Sequence, residues 1–340
     1  MARSSSSSSR SVKARTSTLR RLLVSTARLL RIENPARQIW RNVYAARNSW
    51  RGSRTYRRIG RTIDRDVFVA RVGNKEVRFL TVDAFSKFHF FASKGSTEGA
   101  REQGLTAQLS ARLQSARCFA DVGAHVGYFT CIASALNPAL KVFAFELDRL
   151  NADRLRENVR LNGCTNVEIV HAAVTESSGE ITYARPPEAA DMPYSTLTIA
   201  PPSFHRVGVG EERVAAISLD DFFRDRGVMP DIVKIDVEGA EYSVLRGMEQ
   251  LIRSAAPTIF IELHPAALPR FGHSVANIVS FLSRHGYELC QIPDHRSGSR
   301  TDLIPVEDDR LENLALLVAL PRGAAGGSCT GAPPPGMSPP

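Results

Sequence analysis

A short loop that follows an apolar run carries the first residues able to do chemistry. Asp121 ends the run, and His125 stands between Gly123 and Gly127 in the turn after it. The dinucleotide-binding fingerprint has a glycine in this middle place, where the backbone approaches a pyrophosphate. Here a histidine fills the space, and the carboxylate of Asp121 would repel a phosphate. The loop therefore favours a cationic ligand, and S-adenosylmethionine (SAM) suits it better than NAD because SAM carries a sulfonium and an ammonium.

An acid at the end of the next predicted strand extends this site. Glu146 follows Gly123 by 23 residues, close to the spacing at which an acidic residue reaches a ribose diol. Leu147 and Asp148 are then expected beside the adenosine, although Asp148 is equally suited to cap the following helix. Ala173 is expected to wall the adenine, with simple packing in the core as its alternative role.

A second acidic group follows another predicted strand. Asp236 and Glu238 alternate after an apolar run, so their side chains point to the same side. Ligands of open α/β sheets bind at the carboxyl ends of strands, where these two carboxylates lie. Their repulsion calls for compensation by Lys234, a metal ion or a hydroxyl-rich substrate. Stabilisation of a helix N-terminus is the alternative role for Glu238 and the favoured role for Glu241, whereas Asp236 is assigned to the site.

A third candidate group ends the strand after that. Glu262 and His264 also share one side of their strand. His264 is a candidate general base that takes the proton of an attacking hydroxyl while Glu262 orients its ring. In the alternative arrangement Asp236, Glu262 and His264 hold a divalent metal, for which their oxygen and nitrogen atoms are suitable ligands. The sequence does not separate the two arrangements, and the metal-free one is favoured.

Alternating apolar runs and helical periodicity predict the framework that holds these groups. Strands are predicted at 117–122, 141–146, 167–171, 231–236, 258–262, 286–292 and 313–319. Helices are predicted at 126–136, 149–162, 219–226, 239–254 and 274–285. A hairpin is predicted at 67–82, and two shorter strands at 179–184 and 212–217 flank a Pro- and Gly-rich loop of the kind that closes over substrates. The pattern predicts an α/β fold with a doubly wound, Rossmann-like sheet.

Charge divides the chain into regions. Residues 1–65 hold 17 Lys and Arg against two acids, and the remainder holds 27 against 33. The predicted regions are a basic, Ser/Arg-rich arm (1–65), a hairpin and helical cover (66–116), the main domain (117–320) and a disordered tail (321–340). The arm has the pattern of an amphipathic segment on an anionic membrane surface, and also the composition of a transit peptide. A solvated tail is the other interpretation of the same residues. Nucleic acid is not expected as a partner, because the body of the protein is acidic.

The five cysteines predict no disulfide framework. They are scattered along the chain and form no C-x-x-C pair. This usage is typical of a reducing compartment. No run reaches about 18 apolar residues, so no transmembrane helix is predicted. The expected location is cytoplasmic, with the arm as a contact to the membrane surface.

Taken together, the motifs resemble the FkbM family of SAM-dependent methyltransferases. The resemblance rests on residues 119–130, the strand end at Glu146, the block 232–247 and the strand end 261–264, and it covers residues 75–320. It implies a class I methyltransferase sheet of seven strands, the last antiparallel. It also implies O-methylation, often of sugar or polyketide hydroxyls.

The resemblance assigns roles residue by residue. It places the SAM loop at Asp121, Gly123, Ala124 and Gly127. The expected cofactor-binding set also includes His125, Tyr128, Glu146, Leu147 and Ala173. Asp236 is expected next to the methyl group and the acceptor. His125 stands where the family commonly has a small polar residue such as asparagine, which affects only local contacts.

The sequence therefore predicts a SAM-dependent O-methyltransferase that acts on a hydroxyl of a small-molecule, sugar, glycolipid or polyketide-type acceptor. Catalysis is expected from positioning the hydroxyl against the sulfonium, with Asp236 or His264 as the base. One rival function is methylation of RNA or protein recruited by the basic arm. Another is a binding protein that keeps the fold without catalysis. A dehydrogenase is disfavoured by Asp121 and His125.

Overall fold

The structure, a computed structural model, describes residues 66–81, 103–185, 210–292, 302–306, 316–323 and Cys329. Apart from Asp66 and Thr81, these residues belong to one compact unit formed by Val67–Leu80 and Ser96–Pro340. The basic arm, the segment 82–102, the interior of the loop 185–211 and most of the tail lie outside the described residues. The roles and domain boundaries assigned to them stay predictions.

Strands alternate with helices along the described chain, as the sequence predicts. The strands are β1 (Val67–Val72), β2 (Lys75–Leu80), β3 (Cys118–Val122), β4 (Lys141–Glu146), β5 (Val167–His171), β6 (Ala173–Val174), β7 (Gly179–Arg185), β8 (Gly210–Ile217), β9 (Ile232–Ile235), β10 (Thr258–Glu262), β11 (Tyr287–Gln291), β12 (Ile304–Pro305) and β13 (Leu316–Pro321). The helices are α1 (Gln103–Leu113), α2 (Tyr128–Leu136), α3 (Arg149–Leu161), α4 (Leu219–Arg224), α5 (Glu241–Arg246), α6 (Glu249–Ala255) and α7 (Val275–Arg284), and a short 3₁₀ helix spans Leu268–Phe271.

Eight strands form the main sheet, in the order β12-β11-β13-β10-β9-β3-β4-β5. β3 pairs in parallel with β4 and β9, and β5 and β10 continue the parallel pairing outward. β13 lies antiparallel between β10 and β11. The central strands β3 and β9 are buried at every position, as expected for a sheet covered on both faces. The predicted doubly wound sheet with an antiparallel last strand is confirmed.

The predicted number of seven strands is wrong by one. The short strand β12 pairs antiparallel with the end of β11, where Pro305 faces Cys290 and Ile304 faces Gln291. Two residues are too few to show the alternating pattern by which a strand is found in a sequence. The addition of β12 at the edge leaves the order of the other seven strands unchanged.

The predicted hairpin is confirmed as β1 and β2, joined by a turn at Gly73, whose φ is +58°. The hairpin is attached to α3 by a buried asparagine. The backbone N–H of Leu80 donates to Oδ1 of Asn158 at 2.9 Å. Nδ2 of Asn158 donates to the carbonyl oxygen of Val126 at 2.8 Å. A single side chain therefore connects the hairpin, α3 and the loop that precedes α2.

A second sheet of three strands has the order β6-β8-β7. β7 and β8 pair antiparallel over their length, which confirms the two short strands predicted at 179–184 and 212–217. β6 pairs in parallel with β8 through Ala173 and Val174. This strand was not predicted, because its two residues follow β5 almost directly.

A disulfide joins Cys290 of β11 to Cys329, 39 residues further along the chain. The sequence, which argued against a disulfide framework, did not predict this bond. Spacing along the chain did not reveal this pair, since the bond joins a strand to a segment that the sequence predicts to be disordered. The backbone N–H of Cys329 also donates to Oε1 of Glu288 at 3.1 Å. Disulfides are typical of oxidising compartments, which weighs against the predicted cytoplasmic location.

The described helices are short. The longest of them, α3, has 13 residues, whereas about 20 apolar residues are needed to cross a bilayer. Within the described ranges, no helix is both long and apolar enough to span a membrane. The membrane contact predicted for the basic arm concerns residues outside these ranges.

Candidate active site

Four neighbouring strands bring the candidate acids to one edge of the main sheet. Asp121 lies near the end of β3, and Glu146 and Glu262 end β4 and β10. Asp236 directly follows β9, and its backbone N–H donates to the carbonyl oxygen of Val122 at 3.0 Å. Because these strands run parallel, their carboxyl ends meet at the same edge. The structure thus places together the acids that the sequence assigned to one site.

The backbone donors of the glycine loop are already used within the protein. Four N–H groups donate to protein oxygens, namely those of Gly123, Ala124, His125 and Gly127. The first two share the carbonyl oxygen of Phe145, at 3.0 and 2.9 Å. A loop that binds a pyrophosphate needs such groups free to point at the phosphates. The hydrogen bonds therefore disfavour a dinucleotide, as does the carboxylate of Asp121, which would repel a phosphate.

The two glycines of the loop are required by close packing. Gly123 has a φ of +78°, and a Cβ atom there would lie 1.9 Å from the carbonyl oxygen of Asp236. A Cβ atom on Gly127, at φ +87°, would lie 2.3 Å from Cδ1 of Leu155 on α3. The sequence assigned both glycines to cofactor binding. The structure shows that they also set the position of the loop against β9 and α3.

Asp121 presents an unsatisfied oxygen inside the protein. Its side chain is 1% exposed, and the hydroxyl of Thr130 donates to Oδ2 at 2.6 Å. Oδ1 has no hydrogen-bond partner in the described part of the chain and lies 3.8 Å from Nζ of Lys234. Burial raises the pKa of this carboxyl, while Lys234 and Thr130 act to lower it. A buried acceptor in this state fits a donor such as the ammonium of SAM.

Glu146 is buried and held by the backbone on both oxygens. Oε2 accepts from the N–H of His125 at 2.7 Å, and Oε1 accepts from the N–H of Asp148 at 2.9 Å. Burial raises the pKa of Glu146 to about 7, against the lowering effect of these two hydrogen bonds. Each carboxylate oxygen keeps a second lone pair. The residue can therefore still accept hydrogen bonds from the hydroxyls of a ribose.

The residues predicted beside the adenosine lie together. Leu147 packs against a buried cluster that includes Ala173. Asp148 caps α3 by accepting from the N–H of Asn151 at 3.0 Å, so the structure shows the capping role that the sequence had left open. The contacts of Leu147 and Ala173 with the adenine stay predictions.

Tyr128 packs in the core at the start of α2. Its ring lies 5.3 Å from the ring of Phe79 in the hairpin and 5.1 Å from the ring of Phe129, measured between centroids. The ring therefore joins the hairpin to α2. The predicted contact of Tyr128 with the cofactor is not tested by this packing and stays a prediction.

Lys234 supplies the counter-charge for two acids. Its Nζ lies 3.3 Å from Oδ2 of Asp236 and 3.8 Å from Oδ1 of Asp121, and its side chain is 4% exposed. Nζ also lies 5.1 Å from the centre of the Phe129 ring, within the range of a cation–π interaction. Of the three kinds of compensation that the sequence left open, the structure provides this lysine. Asp236 remains 29% exposed and faces the site.

His264 is oriented by Glu241 and not by Glu262. Its Nδ1 lies 2.7 Å from Oε1 of Glu241, whose side chain is fully buried in the first turn of α5. The same oxygen accepts from the N–H of Gly239 at 2.9 Å. The prediction that Glu262 orients the ring is wrong, because β10 ends at Glu262 and the alternation of a strand no longer applies two residues later. Glu241 also stands in the first turn of α5, where the sequence placed it to stabilise the helix N-terminus.

The other ring nitrogen of His264 faces carboxylates. Nε2 lies 3.5 Å from Oε2 of Glu238 and 3.9 Å from Oδ1 of Asp236. Burial lowers the pKa of His264, but the hydrogen bond to Glu241 and the charges of the surrounding acids outweigh it and raise the pKa to about 9. Burial raises the pKa of Glu238 to about 7. The cluster is therefore built to take up a proton at Nε2 and to hold it.

The alternative metal ligands are also close together. One ligand atom from each of Asp236, Glu262 and His264 lies within 4.8 Å of the other two. This spacing is compatible with a divalent cation. The ammonium of Lys234 already neutralises Asp236, which weighs against a second cation there. The metal-free arrangement is therefore retained for the mechanism.

Sequence reasoning missed three residues that position the site. Thr130 holds Asp121, Glu241 holds His264, and Asn158 holds the loop through Val126. Of these, Glu241 carried a signal, because an acid opens a helix immediately after the site residues. The sequence did not show that Glu241 is completely buried, and this burial is what distinguishes a residue that positions His264 from an acid on the surface of a helix.

The order of the strands and the place of the site define the class of protein. From β5 to β11 the order is β5-β4-β3-β9-β10-β13-β11, with the glycine loop after β3 and the acid at the end of β4. This is the fold of the class I methyltransferases. Residues 121–289 match the family model of the methyltransferase FkbM domain, the family that the motifs resemble. The resemblance seen in the motifs is confirmed.

The chain is also similar to individual known proteins, to different extents. The hexuronic acid methyltransferase AglP of Haloferax volcanii is 32% identical over 151 residues, which are 44% of this chain and 57% of that protein. The chain thus spans just over half the length of this curated relative. A methyltransferase FkbM from Methylobacillus flagellatus KT has 17% identity and a TM-score of 0.39, over 61% of this chain and 44% of that one. A precorrin-6y C5,15-methyltransferase from Geobacter metallireducens GS-15 has 14% identity and a TM-score of 0.35, over 64% and 87%.

Proposed function

We propose that the protein is a SAM-dependent O-methyltransferase that acts on a hydroxyl of a sugar-type acceptor. The match to the FkbM domain supports methyl transfer from SAM. The name of the relative from Haloferax volcanii supports a sugar as acceptor. The observation that carries the proposal is the hydrogen-bonded pair of His264 and Glu241, which lies beside Asp236 at the edge that also holds the glycine loop.

Asp121 and Glu146 are the residues that would hold the cofactor. The free Oδ1 of Asp121 accepts from an ammonium, and the remaining lone pairs of Glu146 accept from the ribose hydroxyls. When bound, SAM supplies an electrophilic methyl group on its sulfonium. Lys234 lies between Asp121 and Asp236 and opposes the rise that burial causes in the pKa of Asp121, which favours a carboxylate that faces the cationic ligand.

His264 acts as the base in this proposal. Glu241 can only accept at Oε1, so it holds the proton of the neutral imidazole on Nδ1 and leaves the lone pair on Nε2. Nε2 takes the proton of the acceptor hydroxyl as its oxygen attacks. The carboxylate of Asp236, 3.9 Å away, then stabilises the imidazolium. Positioning of the hydroxyl provides the remaining acceleration.

The direct test uses the full-length protein with SAM and a set of acceptors. We expect a hexuronic acid or a related sugar to gain one methyl group, detected by mass spectrometry, while RNA and unrelated proteins gain none. The proposed base removes the proton of a hydroxyl, so the product should be a methyl ether. A methyl ether resists mild alkali, whereas a methyl ester does not. A methyl ester on the acid group would leave methyl transfer intact and refute the hydroxyl acceptor.

The same assay separates the two arrangements of the site. With His264 as the base, treatment with EDTA should leave turnover unchanged. Loss of turnover that Mg²⁺ or Mn²⁺ restores would instead assign Asp236, Glu262 and His264 to a metal. Absence of SAM binding by calorimetry would refute the enzymatic function altogether and revive the non-catalytic binding protein.

A further inference from the structure

We propose that a cleft at the opposite edge of the main sheet binds a phosphate-bearing small molecule. The cleft has a volume of about 1020 Å³. It is bordered by α5, α6 and α7, by the start of β11 and by the end of β13. Its lining contains four arginines, Arg246, Arg253, Arg284 and Arg322.

The topology separates this cleft from the candidate active site. Tyr287, the first residue of β11, pairs with Pro321, the last of β13. β13 runs antiparallel to β10, so that Ala319 pairs with Ile259 near the start of β10. The cleft therefore lies at the amino ends of the parallel strands, whereas Glu146, Asp236 and His264 lie at their carboxyl ends. The inference is independent of the proposed methyl transfer.

The charge that lines the cleft is unbalanced. Glu249 is the one acid among the lining residues, and it already pairs with Arg253 at 2.5 Å and with Nε2 of His285 at 3.2 Å. Arg246 pairs with Glu176 at 2.7 Å. The described body of the chain belongs to a region with 27 Lys and Arg against 33 acids. Four arginines around one cleft are therefore a local feature and do not follow from composition.

Two of the arginines have neither an ion pair nor a side-chain hydrogen bond to any described residue, namely Arg284 and Arg322. Both flank the same glycine. Arg284 precedes Gly286 by two residues, and the backbone N–H of Arg322 donates to the carbonyl oxygen of Gly286 at 3.0 Å. Neither guanidinium has a counter-charge among the described residues, and an anion bound in the cleft would supply one. The planar fork of an arginine matches the oxygens of a phosphate.

The size and the walls of the cleft indicate what else the ligand contains. The volume is in the range of small-molecule sites and exceeds the need of a bare phosphate. The rings of Tyr242 and Phe281 meet edge to face at 5.8 Å, and Phe281 also contacts His285 at 4.4 Å. These rings offer an apolar wall to the organic part of the ligand. A diphosphate ester of nucleotide size is the ligand chemistry that this combination fits.

Calorimetry on the full-length protein with inorganic pyrophosphate tests the anion site. We expect Arg284→Gln and Arg322→Gln each to weaken binding about tenfold, because each removes a charged hydrogen bond to the ligand. The control is the double variant Arg160→Gln/Arg213→Gln, which removes two exposed arginines from α3 and β8. It carries the same net charge as Arg284→Gln/Arg322→Gln and keeps the basic arm, so it should bind as the wild type does.

A second measurement identifies the source of the phosphate. Co-sedimentation with vesicles that contain phosphatidic acid is compared with binding of ADP in solution, for the wild type and both double variants. Loss of ADP binding in Arg284→Gln/Arg322→Gln assigns the cleft to a soluble ligand, and loss of vesicle binding alone assigns it to a lipid headgroup. Equal binding by the two double variants in every assay, or no binding by the wild type, would overturn the proposal.

Discussion

Nδ1 of His264 lies 2.7 Å from Oε1 of Glu241, a carboxylate with no exposure to solvent. The two residues are 23 positions apart, since Glu241 begins α5 and His264 lies two residues after the end of β10. The hydrogen bond determines which nitrogen of the imidazole is free to act, and it contributes to the raised pKa of His264. Oε2 of Glu241 has no hydrogen-bond partner among the described residues. The hydrogen bonds that fix this carboxylate are therefore those of Oε1 with His264 and with the N–H of Gly239.

The first prediction concerns this pair. Glu241→Gln keeps the shape of the side chain and removes its charge, so the pKa of His264 should fall. At high pH, where His264 is neutral in both proteins, kcat should drop by roughly 10–100-fold because the ring is no longer oriented. The affinity for SAM should change little, because Glu241 is not among the residues assigned to the cofactor. NMR titration of the histidine and steady-state kinetics measure the two effects.

A matched control exists for this variant. Glu249→Gln breaks the same kind of pair at His285, where the distance is 3.2 Å, and it should leave kcat unchanged. An unchanged kcat in Glu241→Gln as well would show that the buried carboxylate has only a structural role.

The second prediction is the direction of the pH dependence. The acting base is neutral His264, whose pKa is raised to about 9 by Glu241, Glu238 and Asp236 despite burial. We therefore expect kcat/KM to rise with pH and to level off above about 9. In Asp236→Asn the rise should move to lower pH, since one of the charges that stabilise the imidazolium is removed. A profile that falls between neutral pH and 9 would make Asp236 the base and the protonated His264 its partner.

The third prediction separates packing from cofactor contact at the glycine loop. Gly123→Ala would bring a Cβ atom within 1.9 Å of the backbone of Asp236, so we expect a loss of about 3 kcal/mol or more in the free energy of unfolding. Gly163→Ala is the control, because Gly163 also has a positive φ, +62°, with open space around it. The control should lose only about 1 kcal/mol. Equal losses in urea denaturation would contradict the steric argument.

The fourth prediction is that Glu146→Ala weakens the binding of SAM at least about tenfold, as measured by calorimetry. The variant removes the acceptor for the ribose and also the anchor of the His125 N–H. Asp153→Asn is a suitable control, because Asp153 is an acid on the surface of α3. Unchanged affinity in Glu146→Ala would refute the ribose assignment.

The fifth prediction concerns the disulfide between Cys290 and Cys329. Its reduction, or Cys329→Ser, should lower the free energy of unfolding by about 2–4 kcal/mol, because the bond closes a loop of 39 residues. Cys164→Ser serves as the control, since Cys164 forms no disulfide. If a reducing agent left the denaturation midpoint of the wild type unchanged, the bond would not contribute to stability.

Local features of the sequence were sufficient to predict the residues on the cofactor side of the site. A fully buried parallel strand appears as a short apolar run, so β3 and β9 were recognisable by themselves. Asp121 and Glu146 follow from position, since each lies at or near the end of such a run. The charge of Asp121 and the bulk of His125 were enough to disfavour a dinucleotide, and the occupied N–H groups of the loop agree.

The arrangement around His264, on the side of the methyl acceptor, depends on contacts that the periodicity of a sequence does not predict. The rule of alternation paired Glu262 with His264, but it holds only inside a strand, and the chain leaves β10 before His264. What orients the ring is decided by the position of the start of α5 beside the segment that follows β10, which brings Glu241 to His264.

The sequence by itself determined the fold class, the order of the main elements and the side of the sheet on which the acids lie. Each of these follows from patterns within one element or from the parallel course of neighbouring strands. Only the tertiary structure decided the partner of His264, the closeness of Gly123 to Asp236 and the bond between Cys290 and Cys329. These contacts join segments far apart in the chain, and their distances depend on how whole elements pack, which no local pattern specifies.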